Sequence, residues 1–199
     1  MLRKEVPVRS HSGEFRTTNK SNKKYLAEDF KHRCAYCDDL DSIYGGYNMY
    51  QVEHFAPKGK FPKLESTYEN LLYSCPYCNS SKGDDWPSDE ANTNVAGDEG
   101  YVDPCNAEYE DHLDRSDDGR IIHKTNLGKY MFIHLNLSLL RHSRIYNIDK
   151  IQNKCKELEE KINIDKSQGK NTIKKEEALN SLYKDFQKYY CQLQVEPNT

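Results

Sequence analysis

Apolar residues in the first half of the chain fall in short clusters, and their spacing predicts short elements. Tyr25, Leu26 and Phe30 are spaced as on one face of a helix, so residues 25–33 are expected to be helical. Residues 47–55 have the aromatic and β-branched composition of a strand. This part of the chain therefore predicts short helical and extended segments rather than long ones.

A second extended segment and another short helix are expected before residue 90. Residues 68–73 predict a second short strand or a turn. A helix opens at Cys75 and stops by Gly83 and Pro87, because glycine commonly ends helices and proline cannot continue one.

Longer helices are expected in the C-terminal part of the chain, where apolar residues form stripes at helical spacing. The first stripe indicates a substantially buried helix in residues 127–146. Two amphipathic helices follow, joined by a turn at residues 166–171 that includes Gly169. The three stripes are Phe132, Leu135 and Leu139; Ile151, Cys155, Leu158 and Ile162; and Leu179, Leu182, Tyr183, Phe186, Tyr190 and Leu193. These helices are expected to pack on each other as a helical lobe.

Charge is distributed unevenly along this polar chain. Of its 199 residues, 36% are hydrophobic and 31% charged, which suits one domain or a small module with an accessory lobe. The net charge is only −3, yet residues 84–118 contain one Lys or Arg against thirteen Asp and Glu. This acidic belt separates two basic segments. The belt is either a protein-facing or autoinhibitory surface opposite a nucleic-acid-facing one, or a solvated loop.

The cysteines bear on the expected compartment and on metal binding. No apolar segment of signal-peptide or membrane-spanning length is present, so the default expectation is a cytoplasmic protein without membrane contact. In such a protein, paired cysteines favour metal over disulfides. Cys105, Cys155 and Cys191 stand apart and are expected to be ordinary reduced thiols.

Two Cys-x-x-Cys pairs form the candidate metal site. Cys34 and Cys37 are the first pair, and Cys75 and Cys78 are the second. Four thiolates complete the tetrahedral shell of a structural zinc ion and leave no open position for a substrate. A redox dithiol or a coincidence of spacing is the alternative.

Polar residues suited to catalysis lie between and after the cysteine pairs. Glu53 and His54 are adjacent, so on a regular strand they point to opposite faces and share a site only at a strand end. Asn70 follows, and Asn79 and Lys82 lie on one face of the helix that contains the last cysteine. Histidine suits the deprotonation of water, and carboxylate and amide oxygens suit Mg²⁺ or Mn²⁺.

The order of these residues resembles the HNH endonuclease family. The family pattern is a C-x-x-C pair, an Asp/Glu-His pair, an asparagine and then C-x-x-C-His/Asn-x-x-Lys. The matching residues are Cys34, Cys37, Glu53, His54, Asn70, Cys75, Cys78, Asn79 and Lys82. The resemblance covers roughly residues 30–85. It implies a ββα-metal fold in which a hairpin and a helix clasp one catalytic divalent cation.

The resemblance also implies a role for each polar residue. His54 is the general base that activates water, and Asn70 orients its imidazole through the other ring nitrogen. Glu53 and Asn79 hold the catalytic cation, which is Mg²⁺ or Mn²⁺. Lys82 contacts phosphate.

The same segment adds candidate substrate contacts and departs from the commonest family form. The loop after His54 is basic, and Lys58 and Lys60 in it are candidate substrate-binding residues. Glu53 stands where Asp is frequent, and Asn79 replaces the last histidine, as in the HNN variants. Because a neutral amide binds metal more weakly than imidazole, modest metal affinity is expected, with activity that needs assembly with substrate or a partner.

A narrower resemblance is carried by residues 52–58. Their sequence, Val-Glu-His-Phe-Ala-Pro-Lys, looks like the E-H-F-x-P-K signature of HNH proteins from Septu-type bacterial anti-phage systems. Three later segments also resemble these Septu-type proteins: Tyr-Val-Asp-Pro at residues 101–104, Asp-Gly at 118–119 and the helical segment 135–141. This resemblance implies a partner ATPase of the ABC/SMC-like class, docked by the helical lobe or the acidic belt.

The expected fold class is α+β, a small zinc-stapled ββα-metal module followed by a mainly α-helical C-terminal lobe. Residues 1–24 are expected to be a basic, loosely ordered arm, and residues 25–90 the HNH module with structural zinc. Residues 91–126 form an acidic connection, and residues 127–199 a helical accessory or docking lobe.

Three classes of function remain in view. The first is a metal-dependent HNH endonuclease that hydrolyses DNA phosphodiester bonds as the effector of an anti-phage complex. The second is a non-catalytic zinc module that binds nucleic acid or protein, which leaves Glu53, His54, Asn70 and Asn79 as coincidences. The third, a thiol redox protein, explains neither asparagine. The sequence favours the endonuclease.

Overall fold

The computed structural model describes residues 1–11 and 19–195, and for residues 19–21 and 195 it describes the backbone alone. Within these ranges, each strand pairs antiparallel with a neighbour in a two-stranded sheet. The strands are β1 (Gln51–His54), β2 (Leu71–Ser74), β3 (Val95–Ala96), β4 (Glu99–Gly100), β5 (Leu113–Arg115) and β6 (Ile121–His123). The helices are α1 (Asn19–Asp29), α2 (Gly46–Met49), α3 (Pro76–Lys82), α4 (Tyr109–His112), α5 (Asn126–His134), α6 (Leu140–Ser167) and α7 (Ile173–Val195).

The two predicted extended segments pair as the β1–β2 hairpin, and α3 follows directly. The register runs from Gln51 opposite Ser74 to His54 opposite Leu71. All four residues of β2 are buried, so this strand forms the centre of the module. Pro76 occupies the first turn of α3, where a missing N–H costs no helical hydrogen bond.

The bounds of α3 agree with the sequence, whereas β1 is shorter than expected. Cys75 caps the helix, its Sγ accepting a hydrogen bond from the Cys78 N–H at 3.5 Å. Gly83, with φ of 49°, ends the helix. Gly45 and Gly46 have φ of 78° and 70° and turn the chain into α2, which delays the start of the strand.

Helix α1 begins before its predicted start, at Asn19, and ends at Asp29. Leu26 in α1 and Phe30 directly after it are buried, as their spacing predicts. Lys31 and His32 follow with φ of 52° and 59°, in the left-handed region. The chain therefore turns sharply between α1 and the first cysteine pair.

The described part of the predicted N-terminal arm is packed against the protein rather than loose. Leu2 and Arg3 are buried. Glu110 explains the difference, because its carboxylate accepts from the Leu2 N–H at 2.8 Å and from Arg3 Nε at 2.7 Å. Arg9 pairs with Asp103 at 2.9 Å in the same way. Basic residues of the arm thus neutralise the acidic belt; the rest of the predicted arm, residues 12–18, lies outside the described ranges.

The acidic belt folds onto the ββα module and carries part of its core. Tyr109 is fully buried, and its hydroxyl donates to the Tyr36 carbonyl at 2.9 Å. Arg115 Nη2 donates to the Cys37 carbonyl at 2.6 Å. Both acceptors belong to the first cysteine turn. The belt therefore satisfies backbone groups of the first cysteine turn that would otherwise be buried without partners.

One hydrophobic core extends from Leu2 to Leu137. It crosses the predicted segment boundaries near residues 90 and 126, so these divisions of the chain stay a prediction. The mixed helical and stranded architecture with a helical C-terminal part confirms the predicted fold class. None of the described helices has both the length and the apolar character that crossing a bilayer requires.

The C-terminal helices differ from prediction in one place. The buried helix expected over residues 127–146 is broken between α5 and α6, where Asn136 has φ of 53°. Its second half continues through Ile151 and Ile162 as the long helix α6. Helix α7 packs antiparallel on α6 after the predicted turn at Gly169, which has φ of 68°. Helices α6 and α7 thus form a long hairpin that starts beside the module.

Candidate active site and metal cluster

The two cysteine pairs meet in one buried cluster. The Sγ atoms of Cys34, Cys37, Cys75 and Cys78 all lie within 4.8 Å of one another. Cys37 and Cys75 are 3.8 Å apart at sulfur. A tetrahedral zinc ion with Zn–S bonds of about 2.3 Å places its sulfurs about 3.8 Å apart. The donor set and its spacing fit structural zinc.

Backbone pairing brings the first turn to the second. The Ala35 N–H donates to the Tyr73 carbonyl in β2 at 2.8 Å, directly before the second pair. Burial raises the pKa of the Cys37 and Cys78 thiols well above the ordinary value. A buried divalent cation supplies the positive charge that four thiolates need in such surroundings.

His54 lies buried at the end of β1. Its Nε2 is 3.0 Å from the Glu65 carbonyl oxygen, which can only accept, so Nε2 carries the proton. Burial lowers the pKa of His54 below its ordinary value. At neutral pH the ring is therefore uncharged, and Nδ1 keeps the lone pair that a general base requires.

Asn70 does not contact the imidazole, in contrast to the role that the family resemblance implies. Its Oδ1 accepts from the Ala56 N–H at 2.8 Å, and its Nδ2 donates to the Ala56 carbonyl at 3.0 Å. A longer bond of 3.4 Å joins Nδ2 to the Leu64 carbonyl. Asn70 thus ties together the two ends of the loop that carries Glu65. The amide acts on His54 through that loop, and the Glu65 carbonyl orients the ring.

Glu53 and Lys82 form a buried ion pair across the interface of β1 and α3. The Lys82 Nζ lies 3.2 Å from a Glu53 carboxylate oxygen and 3.4 Å from the His54 carbonyl. The Tyr36 hydroxyl also points at Glu53, at 3.4 Å. Burial raises the pKa of Glu53 to about 7, although Lys82 opposes the shift. The carboxylate is therefore poised between its charged and neutral forms near pH 7.

The position of Lys82 differs from the phosphate contact that the resemblance implies. Its side chain is 0% exposed. The rings of Trp86 and Tyr101 lie 5.7 Å and 5.3 Å from Nζ. Burial lowers the pKa of Lys82. Lys82 holds Glu53 from within the protein and does not face a surface that DNA reaches.

Asn79 lies one turn before Lys82 on α3 and contacts the other end of β1. Its Nδ2 donates to the Gln51 side-chain oxygen. Gln51 and Glu53 are two residues apart on β1, so both face α3. The Asn79 Oδ1 accepts no hydrogen bond from the described residues. Carboxylate oxygen from Glu53 and amide oxygen from Asn79 are the donor types that Mg²⁺ and Mn²⁺ prefer.

Lys58 and Lys60 are exposed on the loop after β1. Lys58 Nζ lies 3.2 Å from the Glu65 carboxylate, in a pair about half exposed on both sides. Lys60 Nζ donates to the Trp86 carbonyl at 3.1 Å. The loop that orients His54 is therefore also the loop that presents the basic side chains.

Sequence reasoning missed several residues of the site. Glu65 acts through a backbone carbonyl, which every residue possesses, so no side-chain signal marks it. Tyr36 lies between the two cysteines of the first pair. Its position and its large aromatic ring were a signal that the side chain is buried in the module. His142 reaches the metal cluster from α6 and pairs with Asp39 at 2.8 Å across 103 residues.

Comparison with known proteins agrees with this arrangement. Residues 34–85 match the family model for the HNH endonuclease. The curated relative "Septu protein PtuB" from Bacillus thuringiensis is 41% identical over 61 residues, which cover 29% of this chain and 22% of that protein. The chain thus aligns with under a quarter of that relative's length, and the match fits the Septu-type resemblance. The chain therefore carries an HNH endonuclease domain at residues 34–85.

Proposed function

We propose that this chain is a metal-dependent endonuclease that hydrolyses DNA phosphodiester bonds. The observation that carries the proposal is His54, whose ring is fixed by the Glu65 carbonyl and whose pKa is lowered by burial. A fixed, neutral imidazole is suited to deprotonate water near pH 7. Glu53 and Asn79 provide oxygen donors for a hard cation on the adjoining strand and helix.

In the proposed reaction, His54 Nδ1 takes a proton from water as the water oxygen attacks phosphorus. The new P–O bond forms while the bond to the leaving oxygen breaks, and solvent protonates that oxygen. The Glu65 carbonyl continues to accept from Nε2 and stabilises the imidazolium that results. When bound, Mg²⁺ or Mn²⁺ supplies positive charge for the phosphate and for the leaving oxygen.

The test is plasmid nicking with Mg²⁺ or Mn²⁺, comparing the wild type with His54→Ala. Loss of a general base should slow cleavage by about 10²–10⁴-fold. His123→Ala is the matched control, because this histidine of β6 is exposed and lies outside the candidate site. If His54→Ala cleaved as fast as the wild type, His54 would not be the general base. An inert wild type, also in the presence of co-purified partners, would favour the non-catalytic zinc module.

The same assay should show a pH dependence that follows His54. Because burial lowers its pKa below the ordinary value of histidine, the ring is protonated only in more acidic solution. On the His54 limb, cleavage at limiting substrate should therefore fall as the solution becomes acidic, with a midpoint below the ordinary histidine pKa, and level off at higher pH. A limb that disappears in His54→Ala but has an apparent pKa above the ordinary histidine value would contradict the burial argument.

Lys58 and Lys60 are proposed to contact the phosphate backbone. Replacing both by alanine should weaken DNA binding uniformly across sequences and reduce the slope of log K against log salt by about 0.9 per lost phosphate contact. Lys156→Ala, an exposed lysine on α6, is the control. Binding is measured by fluorescence anisotropy at several salt concentrations. An unchanged salt slope in the double variant would show that Lys58 and Lys60 do not contact the phosphate backbone.

We also propose that the nuclease acts in an anti-phage defence complex with an ATPase of the ABC/SMC-like class. The support is the similarity to the Septu protein PtuB and the lack of a strongly basic net charge. We propose a cytoplasmic location as well, because the clustered cysteine pairs suit metal binding in a reducing compartment. Tyr183 and Tyr190 on α7 are each 43% exposed and offer aromatic anchors for docking. Co-purification with neighbouring gene products tests the partner.

A further inference from the structure

Two side chains from the first turn of α6 lie beside the four-cysteine cluster. Arg141 is 5% exposed and His142 is fully buried. The Arg141 guanidinium lies between the rings of Tyr44 and Tyr77, at 4.4 Å and 3.8 Å from their centroids. Tyr77 lies between the two cysteines of the second pair. Helix α6 thus places a cation against the turn that binds metal, although it lies outside the HNH domain.

The polar atoms around this cation are incompletely paired. Arg141 Nε, Nη1 and Nη2 have no hydrogen-bond partner among the described residues. Its Nη2 is 3.9 Å from the Asp39 carboxylate, close enough for attraction between charges. His142 Nδ1 donates to Asp39 at 2.8 Å, and its Nε2 has no described partner. A buried arginine without hydrogen bonds is costly unless negative charge lies nearby.

The metal cluster supplies that negative charge. A zinc ion with four thiolate ligands carries a net charge of about −2, and Asp39 adds a further −1. Potential ligand atoms of Cys37, Asp39 and His142 lie within 4.8 Å of one another. Arg141, which already lies beside Asp39, therefore gains further counter-charge once zinc is bound.

The same three residues could instead hold a second cation. Two observations oppose this. Cys37 already belongs to the four-cysteine cluster, and the Asp39 carboxylate already accepts a hydrogen bond from His142 Nδ1 at 2.8 Å. The positive charge of Arg141 is therefore better suited to offset the negative charge of the four-cysteine cluster and Asp39.

We propose that Arg141 and His142 form the outer shell of the zinc site, so that retention of zinc depends on the docking of α6. Arg141 compensates the thiolate charge, and His142 holds Asp39 in place beside Cys37. Both are positioning residues that act through the ligands. The inference does not depend on nuclease activity.

The experiment measures the rate of zinc transfer from the purified full chain to the chromogenic chelator 4-(2-pyridylazo)resorcinol. Arg141→Gln and His142→Gln should each transfer zinc about 10–100-fold faster than the wild type, as for other outer-shell partners. Arg141→Lys should recover part of the retention, because it keeps the charge and loses the planar stacking. Arg120→Gln, an exposed arginine in an exposed pair, is the matched control.

A second readout separates this role from plain packing. In the cobalt-substituted protein, the sulfur-to-cobalt charge-transfer bands should shift in Arg141→Gln, whereas a variant that only loosens packing leaves their energies unchanged. If Arg141→Gln does not fold, His142→Gln and Arg141→Lys decide the question. Transfer rates and band energies equal to those of Arg120→Gln in these variants would overturn the proposal.

Discussion

Cys34→Ser and Cys78→Ser are each expected to lose zinc and to unfold the ββα module. Structural zinc contributes about 10–16 kcal/mol in zinc-finger peptides, whereas a whole domain is stable by about 5–15 kcal/mol. Loss of the zinc contribution is therefore comparable to the whole stability of a domain. The four sulfurs are also fully buried, so an unfilled cluster leaves polarisable, repelling groups in the interior.

The measurement combines zinc content by mass spectrometry with thermal unfolding followed by circular dichroism. Cys191→Ser is the matched control, because this thiol is exposed on α7 and far along the chain from both pairs. It should keep full zinc content and an unchanged melting temperature. Chelation of the wild type should reproduce the effect of Cys34→Ser. A melting temperature that survives complete zinc removal would contradict a structural metal.

Lys82→Met is expected to be the most damaging single change outside the cysteines. Removing one partner of a buried ion pair typically costs about 3–5 kcal/mol, because the other charge stays buried without compensation. In Lys82→Met, Glu53 avoids part of this cost by taking up a proton, which removes its charge. Its pKa, already raised to about 7 by burial, should rise further without the ammonium group. At pH 7 the variant should therefore be less stable and bind Mn²⁺ more weakly, with binding partly recovered at higher pH.

A double-mutant cycle tests the ion-pair explanation by urea unfolding. Glu53→Met combined with Lys82→Met removes both charges and should be more stable than either single variant. Lys58→Met is the control, because Lys58 and Glu65 have the same 3.2 Å separation in a half-exposed pair. Such a pair contributes at most about 1 kcal/mol. Equal losses in Lys82→Met and Lys58→Met would show that burial of the pair does not matter.

Much of the module was predictable, because it rests on local signals. The spacing within each cysteine pair, Pro76 after Cys75 and Gly83 after Lys82 all act over a few residues. They correctly predicted the cluster of four cysteines and the bounds of α3. The stripes of the C-terminal helices likewise depend only on the helical period. The break at Asn136 was missed because the apolar spacing continues across it.

The arrangement around His54 and Lys82 was less predictable, because it depends on contacts between distant segments. Lys82 is buried because Trp86 and Tyr101 enclose it, and no residue next to it in sequence indicates this. The sequence predicts that the Asn70 side chain contacts the imidazole of His54. In the structure it lies at the base of the loop that carries Glu65. These departures come from packing, which periodicity and motif spacing do not contain.

The bond between Asp39 and His142 also sets an order of events during synthesis. The cysteine turn leaves the ribosome 103 residues before the helix that covers it. At about 5–20 residues per second, that delay lasts roughly 5–20 s. During this interval zinc enters a cluster of thiols that α6 does not yet cover. Cells short of zinc should therefore accumulate newly made chains without metal, while molecules completed earlier keep theirs.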